Sequence, residues 1–156
     1  MDEINAQMIL SNNRVLVIED EPGMQGILAE LLRDAGYDPV QAATAEEGLR
    51  LAEESLPGII LLDLRLPKND GENPSKDAGL MVCQELSKKE STRGISIIVV
   101  TCFHELGTKL SSFMAGAKRY VTKPFDINNL PKEIEAAFRQ RGLGQGDAQS
   151  PLVPRD

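Results

Sequence analysis

Short runs of aliphatic residues alternate along the chain with longer stretches in which apolar positions recur every three or four residues. The runs are "RVLVIE", "YDPVQA", "GIILLD", "ISIIVV" and "KRYVT", starting at Arg14, Tyr37, Gly58, Ile95 and Lys118. Their length and aliphatic content predict five strands. The stretches between them carry helix signals. After Pro22, suited to a first helical turn, Met24, Ile27, Leu28, Leu31, Leu32 and Ala35 share one face and Gly36 closes the helix. Thr44, with Glu47 three positions on, makes a capping box for a second helix through Glu54. Leu80, Cys83 and Leu86 mark a third, and Leu106, Leu110, Phe113 and Met114 a fourth. Asp126 can cap a fifth that carries Leu130, Ile134, Ala137 and Phe138.

Strict alternation of strand and helix predicts an α/β fold. Right-handed crossovers lay helices on both faces of a parallel sheet, which buries strands such as "VLVI", "IILL" and "IIVV" completely. Pro39 cannot donate to a ladder, so the second strand belongs at an edge. That selects the flavodoxin-like (βα)5 three-layer sandwich with strand order 2-1-3-4-5. Residues 1–13 are polar, end in "SNN" and are expected to form a flexible lead. The domain proper is placed at 14–141. The tail 142–156, rich in Gly and Pro and without periodicity, is expected to be disordered.

Composition narrows the function classes. A chain of 156 residues with 41% hydrophobic content suits one domain with one ordinary core. No apolar run approaches the roughly 18 residues of a membrane helix, and "MDEINAQMIL" lacks the basic start of a signal peptide, so a cytoplasmic protein without membrane contact is expected. A net charge of -7 argues against direct binding of nucleic acid. Two cysteines, Cys83 and Cys102, make no disulfide framework, and both are expected to be reduced and buried.

The chemistry gathers at one rim. In an open parallel sheet, ligands bind beyond the carboxyl ends of the strands. There the first strand runs into Glu19, Asp20 and Glu21, the third ends at Asp63, the fourth at Thr101, and the fifth is followed by Lys123 and Pro124. Glu21, Asp70 and Asp77 are read as cap or loop acids. His104 is read as an exposed residue at a helix start. Glu19, Asp20 and Asp63 fall on neighbouring strands, and three carboxylates that close call for a cation. Few hard oxygen ligands, with room for water and a phosphate, suit Mg²⁺. Lys123 adds a mobile positive charge and Thr101 a hydroxyl. A carboxylate nucleophile, a divalent metal, a lysine and a hydroxyl together describe phosphoryl transfer to an aspartate.

Those residues carry a resemblance to the receiver domain of bacterial two-component response regulators. From about Arg14 to Arg139, "VLVIEDE" resembles that family's acidic first strand and "LLDLRLP" its phosphorylation site. "VVTC" resembles its switch threonine, and "GAKRYVTKPF" its last strand with lysine and proline. The resemblance implies that Asp63 is the phosphoacceptor and that Asp20, Asp63 and the backbone carbonyl of Arg65 bind Mg²⁺, with Glu19 acting through water. Lys123 would pair with the phosphoryl group and Thr101 would hydrogen-bond it. It further implies a cis Lys123–Pro124 peptide, a switch pair of Thr101 and Tyr120, and an output surface on the fourth helix, fifth strand and fifth helix of the pattern. The implied partners are a sensor histidine kinase or histidine phosphotransfer protein and a downstream protein target or output domain. The only reactions catalysed would be the domain's own phosphorylation and dephosphorylation.

Three departures stand out: Glu19 replaces the more usual aspartate, Cys102 is larger than the frequent residue there, and Glu72 to Ala78 form an apparent insertion. No output domain follows Arg139, as expected of a stand-alone receiver or of one cut from a longer protein. A haloacid-dehalogenase-type phosphatase would need a second acid at position 65, which is Arg65. A flavodoxin-like electron carrier would need a phosphate loop where "EDEPG" presents acids. A phosphorylation-independent receiver-like adaptor is the remaining alternative.

Overall fold

A computed structural model describes residues 2–146. In chain order the elements are α1 Asp2–Ser11, β1 Arg14–Ile18, α2 Pro22–Asp34, β2 Asp38–Ala42, α3 Ala45–Ser55, β3 Ile59–Leu62, α4 Lys76–Lys88, β4 Ser96–Thr101, α5 Leu106–Met114, β5 Arg119–Thr122 and α6 Asn129–Gly146. The strands form one parallel sheet in the order β2-β1-β3-β4-β5. β2, which contains Pro39, is the edge strand that a residue without an N–H requires. In register, Leu16 lies between Val40 and Ile60, and Leu62 faces Val99.

Side-chain alternation sorts the strand aliphatics onto two faces. Val15, Val17, Ile59, Leu61, Ile98 and Val100 pack with Leu28 and Leu32 of α2 and with Leu130, Ile134 and Ala137 of α6. Leu16, Ile18, Ile60, Leu62, Ile97 and Val99 pack with Ala52 of α3 and with Val82, Cys83 and Leu86 of α4. Both faces are covered, which is why "IILL" shows no polar alternation. Each of these buried Val, Leu and Ile side chains stabilises the fold by about 1.5–3 kcal/mol relative to exposure.

Local chemistry sets the helix ends. Glu21 caps α2, its Oε1 accepting from Met24 N at 2.6 Å, and Gly36 follows the helix at φ +94°, a left-handed conformation that glycine adopts without a Cβ clash. Thr44 Oγ1 accepts from Glu47 N at 3.1 Å while Glu47 Oε1 accepts from Ala43 N at 2.9 Å, one residue earlier than a standard capping box. Ahead of α6, Asp126 accepts from Asn128 N at 2.9 Å.

The structure departs from the sequence pattern at both ends and after β3. Residues 2–11, expected as a loose lead, form helix α1, and Ile9 is buried in the core. Glu, Ala, Gln, Met and Leu have good helix propensity even without a sustained apolar stripe. The "SNN" stretch also contributes to the fold. Asn12 Oδ1 accepts from Arg14 N at 2.8 Å and Gly58 N at 3.2 Å, and Asn12 Nδ2 donates to Leu56 O at 2.9 Å. These bonds stitch the foot of β1 to the approach of β3. At the other end α6 continues past Arg141 to Gly146, and the rest of the expected tail, 147–156, lies outside the described residues.

The apparent insertion Glu72 to Ala78 is divided. Lys76, Asp77 and Ala78 form the first turn of α4, whose cap Ser75 accepts from Ala78 N at 3.2 Å. The loop before it is pinned by a two-bond bridge between Leu66 and Ser75 and by Pro67 O and Lys68 O, which accept from Ala45 N and Glu46 N at the start of α3.

Candidate functional site

The carboxyl ends of β1, β3, β4 and β5 meet at one rim. Ladder bonds continue one residue past the strands: Glu19 N donates to Ala42 O at 3.0 Å, Asp63 N to Ile18 O at 3.0 Å, and Lys123 N to Thr101 O at 2.8 Å. The backbone therefore holds these residues as firmly as the strands themselves.

Asp63 is only 8% exposed. Its Oδ1 accepts from the Thr101 hydroxyl at 2.9 Å and from Arg65 N at 3.1 Å, and its Oδ2 accepts from the Lys123 ammonium at 3.0 Å. Lys123 also donates to Glu19 Oε1 at 2.6 Å, and Glu19 Oε2 accepts from Glu21 N at 3.1 Å. Thr101 and Glu19 are buried, and Asp20 is half-buried. Glu19, Asp20 and Asp63 each offer a carboxylate oxygen, all within 4.8 Å of one another.

Burial lifts the Glu19 carboxyl above its ordinary range, and the nearby Asp63 charge adds to this, while the Lys123 hydrogen bond opposes both. For Lys123, burial pulls the ammonium down, but the bonds and charges of Glu19 and Asp63 outweigh it and hold the group above its usual value. Three clustered carboxylates face one lysine. This excess of hard, partly buried oxygen donors fits a small divalent cation such as Mg²⁺.

The remaining expected residues surround this centre. Arg65 is exposed and reaches Asp63 through its amide. The Lys123–Pro124 peptide is cis. Tyr120 stands one step away: its hydroxyl donates to Phe103 O at 2.6 Å, its ring centre is 6.3 Å from that of Phe113, and burial pushes its phenol up to about 12. His104 is exposed just before α5.

The two cysteines part company, correcting the expectation that both are buried. Cys83 is fully buried and its thiol is pushed up to about 12 by burial, whereas Cys102, in the turn after Thr101, is exposed. Iodoacetamide at pH 8 is therefore expected to add one group to the native protein, at Cys102. Cys83 should react only after denaturation, as peptide mapping would show.

Two supports escape a strand-end reading. Gln25 Nε2 donates to Glu19 O from the first turns of α2, and Lys76 reaches the turn after Thr101 from α4. The one sequence signal for Lys76 is its positive charge at a helix start, where the dipole disfavours it.

A family model described as a response regulator receiver domain matches residues 15–135. The chain is 35% identical over 127 residues to the DNA-binding dual master transcriptional regulator RpaA of Synechocystis sp., a match covering 81% of this chain and 49% of that protein. It is 33% identical over 144 residues to the transcriptional regulatory protein BaeR of Escherichia coli, covering 90% and 55% respectively. The chain spans about half the length of the curated relatives it matches. Among solved structures, a CheY-like receiver domain protein from Methanospirillum hungatei superposes with a TM-score of 0.74 at 28% identity, covering 86% of this chain and 99% of that one. The receiver domain of sensor histidine kinase PA1611 from Pseudomonas aeruginosa, with a magnesium ion coordinated in its active site cleft, gives a TM-score of 0.70 at 27% identity, covering 83% and 99%.

Proposed function

The chain belongs to the response regulator receiver domain family, and from that premise we propose that Asp63 is the phosphoacceptor of a Mg²⁺-dependent two-component switch. The observation that carries this reading is the grip on its carboxylate: Thr101 and the Arg65 amide on one oxygen, Lys123 on the other, with Glu19 and Asp20 beside it. Such a group is oriented for attack and cannot turn away.

In the reaction, an Asp63 oxygen forms a bond to phosphorus as the bond from phosphorus to a donor histidine nitrogen breaks, and the imidazole leaves with the electron pair and takes up a proton. Lys123 and Thr101 supply a positive charge and a hydroxyl donor to the phosphoryl oxygens. Glu19, Asp20, Asp63 and the Arg65 carbonyl would hold Mg²⁺, which when bound neutralises charge on the transferred group. Burial at the rim excludes bulk water and strengthens each of these contacts. The domain catalyses only its own phosphorylation and dephosphorylation.

Phosphorylation would draw Thr101 further toward the new oxygens, and Phe103 and Tyr120 would respond through their shared bond. The output surface is that of α5, β5 and α6, the fourth and fifth helices of the sequence pattern with the strand between them. On α5, Leu106 and Met114 are 70% and 87% exposed, which suits a protein-binding face. The upstream partner is a sensor histidine kinase or histidine phosphotransfer protein. The downstream partner is a protein target or an output domain, and a DNA contact would belong to such a domain. Among the described residues no helix is long and apolar enough to cross a membrane.

Incubation with Mg²⁺ and acetyl phosphate, followed by intact-mass measurement, tests the proposal. One phosphoryl group should appear on the wild type and none on Asp63→Asn. No addition to the wild type would leave the phosphorylation-independent adaptor as the better reading.

A further inference from the structure

Lys76 occupies the first position of α4, where the helix dipole disfavours a positive charge. Its ammonium crosses to the segment between β4 and α5, 5.5 Å from the centre of the Phe103 ring, and to the first turn of α5, 3.3 Å from the Thr108 hydroxyl oxygen. Thr108 is buried, and its hydroxyl accepts from Lys76 and donates onward to Glu105 Oε1 at 3.4 Å. Cation, aromatic face, hydroxyl and carboxylate thus form one chain of matched charges. These contacts offset the unfavourable place of the lysine on its own helix.

The same segment is held from its other side. Thr101 bonds Asp63, and two residues on the Phe103 carbonyl accepts the Tyr120 hydroxyl. Phe103 is therefore gripped by Lys76 on its ring and by Tyr120 on its backbone. Resting on the phosphoacceptor reading above, we propose that Lys76 is a positioning residue of the switch. It holds the turn from Cys102 to Glu105 in the arrangement in which the Thr101–Asp63 and Tyr120–Phe103 bonds coexist. Lys76 acts through Phe103 and Thr108 and touches no reacting atom. The bridged loop before α4 acquires a purpose as well, because the Leu66–Ser75 bridge and the Ser75 cap set where the helix starts and hence where Lys76 stands.

Lys76→Met keeps an apolar stem and removes the charge, while Lys76→Arg keeps a cation able to stack on Phe103. The experiment is NMR of the full chain with labelled Phe and Tyr, in the absence of any phosphoryl donor. In Lys76→Met the Phe103 and Tyr120 signals should move as the ratio of bonded to unbonded arrangements falls about fivefold, and Lys76→Arg should restore them. Unchanged Phe103 and Tyr120 signals in Lys76→Met would overturn the assignment, as would loss of the wild-type pattern in Lys76→Arg equal to that in Lys76→Met. A second arm adds beryllium trifluoride with Mg²⁺ as a phosphoryl mimic. Saturable shifts around Asp63 support the phosphoacceptor reading. Their absence from the wild type would sink that reading while the mimic-free arm still decides the role of Lys76.

Discussion

Replacing Gly79 with alanine is expected to lower the unfolding free energy by about 3 kcal/mol and the thermal midpoint by about 10 °C. Gly79 lies in the first turn of α4, and its amide donates to Leu64 O at 3.1 Å. A Cβ there would sit 2.3 Å from both Leu64 Cα and Leu64 O. Both are backbone atoms, so no side-chain rotation relieves the contact. Either α4 withdraws from the sheet, opening the core around Val82 and Cys83, or the segment from Asp63 to Arg65 moves. The second route displaces the carboxylate of Asp63, the acceptor proposed above, so phosphorylation by acetyl phosphate should fall together with stability. Gly26→Ala in α2 is the matched control, because nothing lies within 4 Å of its added Cβ. That variant should gain up to about 1 kcal/mol from helix propensity alone. Urea and thermal unfolding of both variants measure the difference, and a Gly79→Ala midpoint equal to the wild type would refute the close-approach account.

The prominence of Gly79 marks where the sequence stops being readable. Strands are legible because their burial is periodic and local: "IILL" and "IIVV" are apolar throughout since both faces of the sheet are covered, and Pro39 fixes the edge by a missing donor. The grouping of the candidate site residues is legible for the same reason, since strand ends share one rim and Glu19, Asp20, Asp63, Thr101 and Lys123 are residues at or just past strand ends. What escapes the sequence depends on contacts between segments far apart in the chain. The start of α4 is obscured because "ENPSKDAG" looks like loop composition, whereas the Ser75 cap and the Leu66 bridge turn its second half into helix. The burial of Ile9 depends on the sheet's foot, which no local pattern reveals. Cys102 differs from Cys83 because β4 ends one residue earlier, leaving the thiol in an exposed turn.

The glutamate at the rim has a structural consequence. Glutamate at position 19 is one methylene longer than aspartate, and with that reach it bonds Lys123 at 2.6 Å while Lys123 also holds Asp63. Lysine and Mg²⁺ are thus set against each other, since each neutralises the same carboxylates. Removing one positive charge strengthens the cluster's hold on the other.

Lys123→Met should therefore change two measurements in opposite directions. Mg²⁺ is expected to bind about tenfold more tightly, because the ion no longer shares Glu19 and Asp63 with an ammonium. Phosphorylation by acetyl phosphate, measured by intact mass at saturating Mg²⁺, is expected to slow by about 100-fold if Lys123 has the proposed role of donor to the phosphoryl oxygens. In EDTA the variant should also be about 2–4 kcal/mol less stable than the wild type. Glu19 and Asp63 have side chains only 3% and 10% exposed and would lose their shared counter-charge. Added Mg²⁺ should recover most of that deficit, since an ion that binds only the folded state stabilises it in proportion to its affinity. Phosphorylation at the wild-type rate in a variant saturated with Mg²⁺ would remove Lys123 from the transfer chemistry and leave it a purely structural counter-ion.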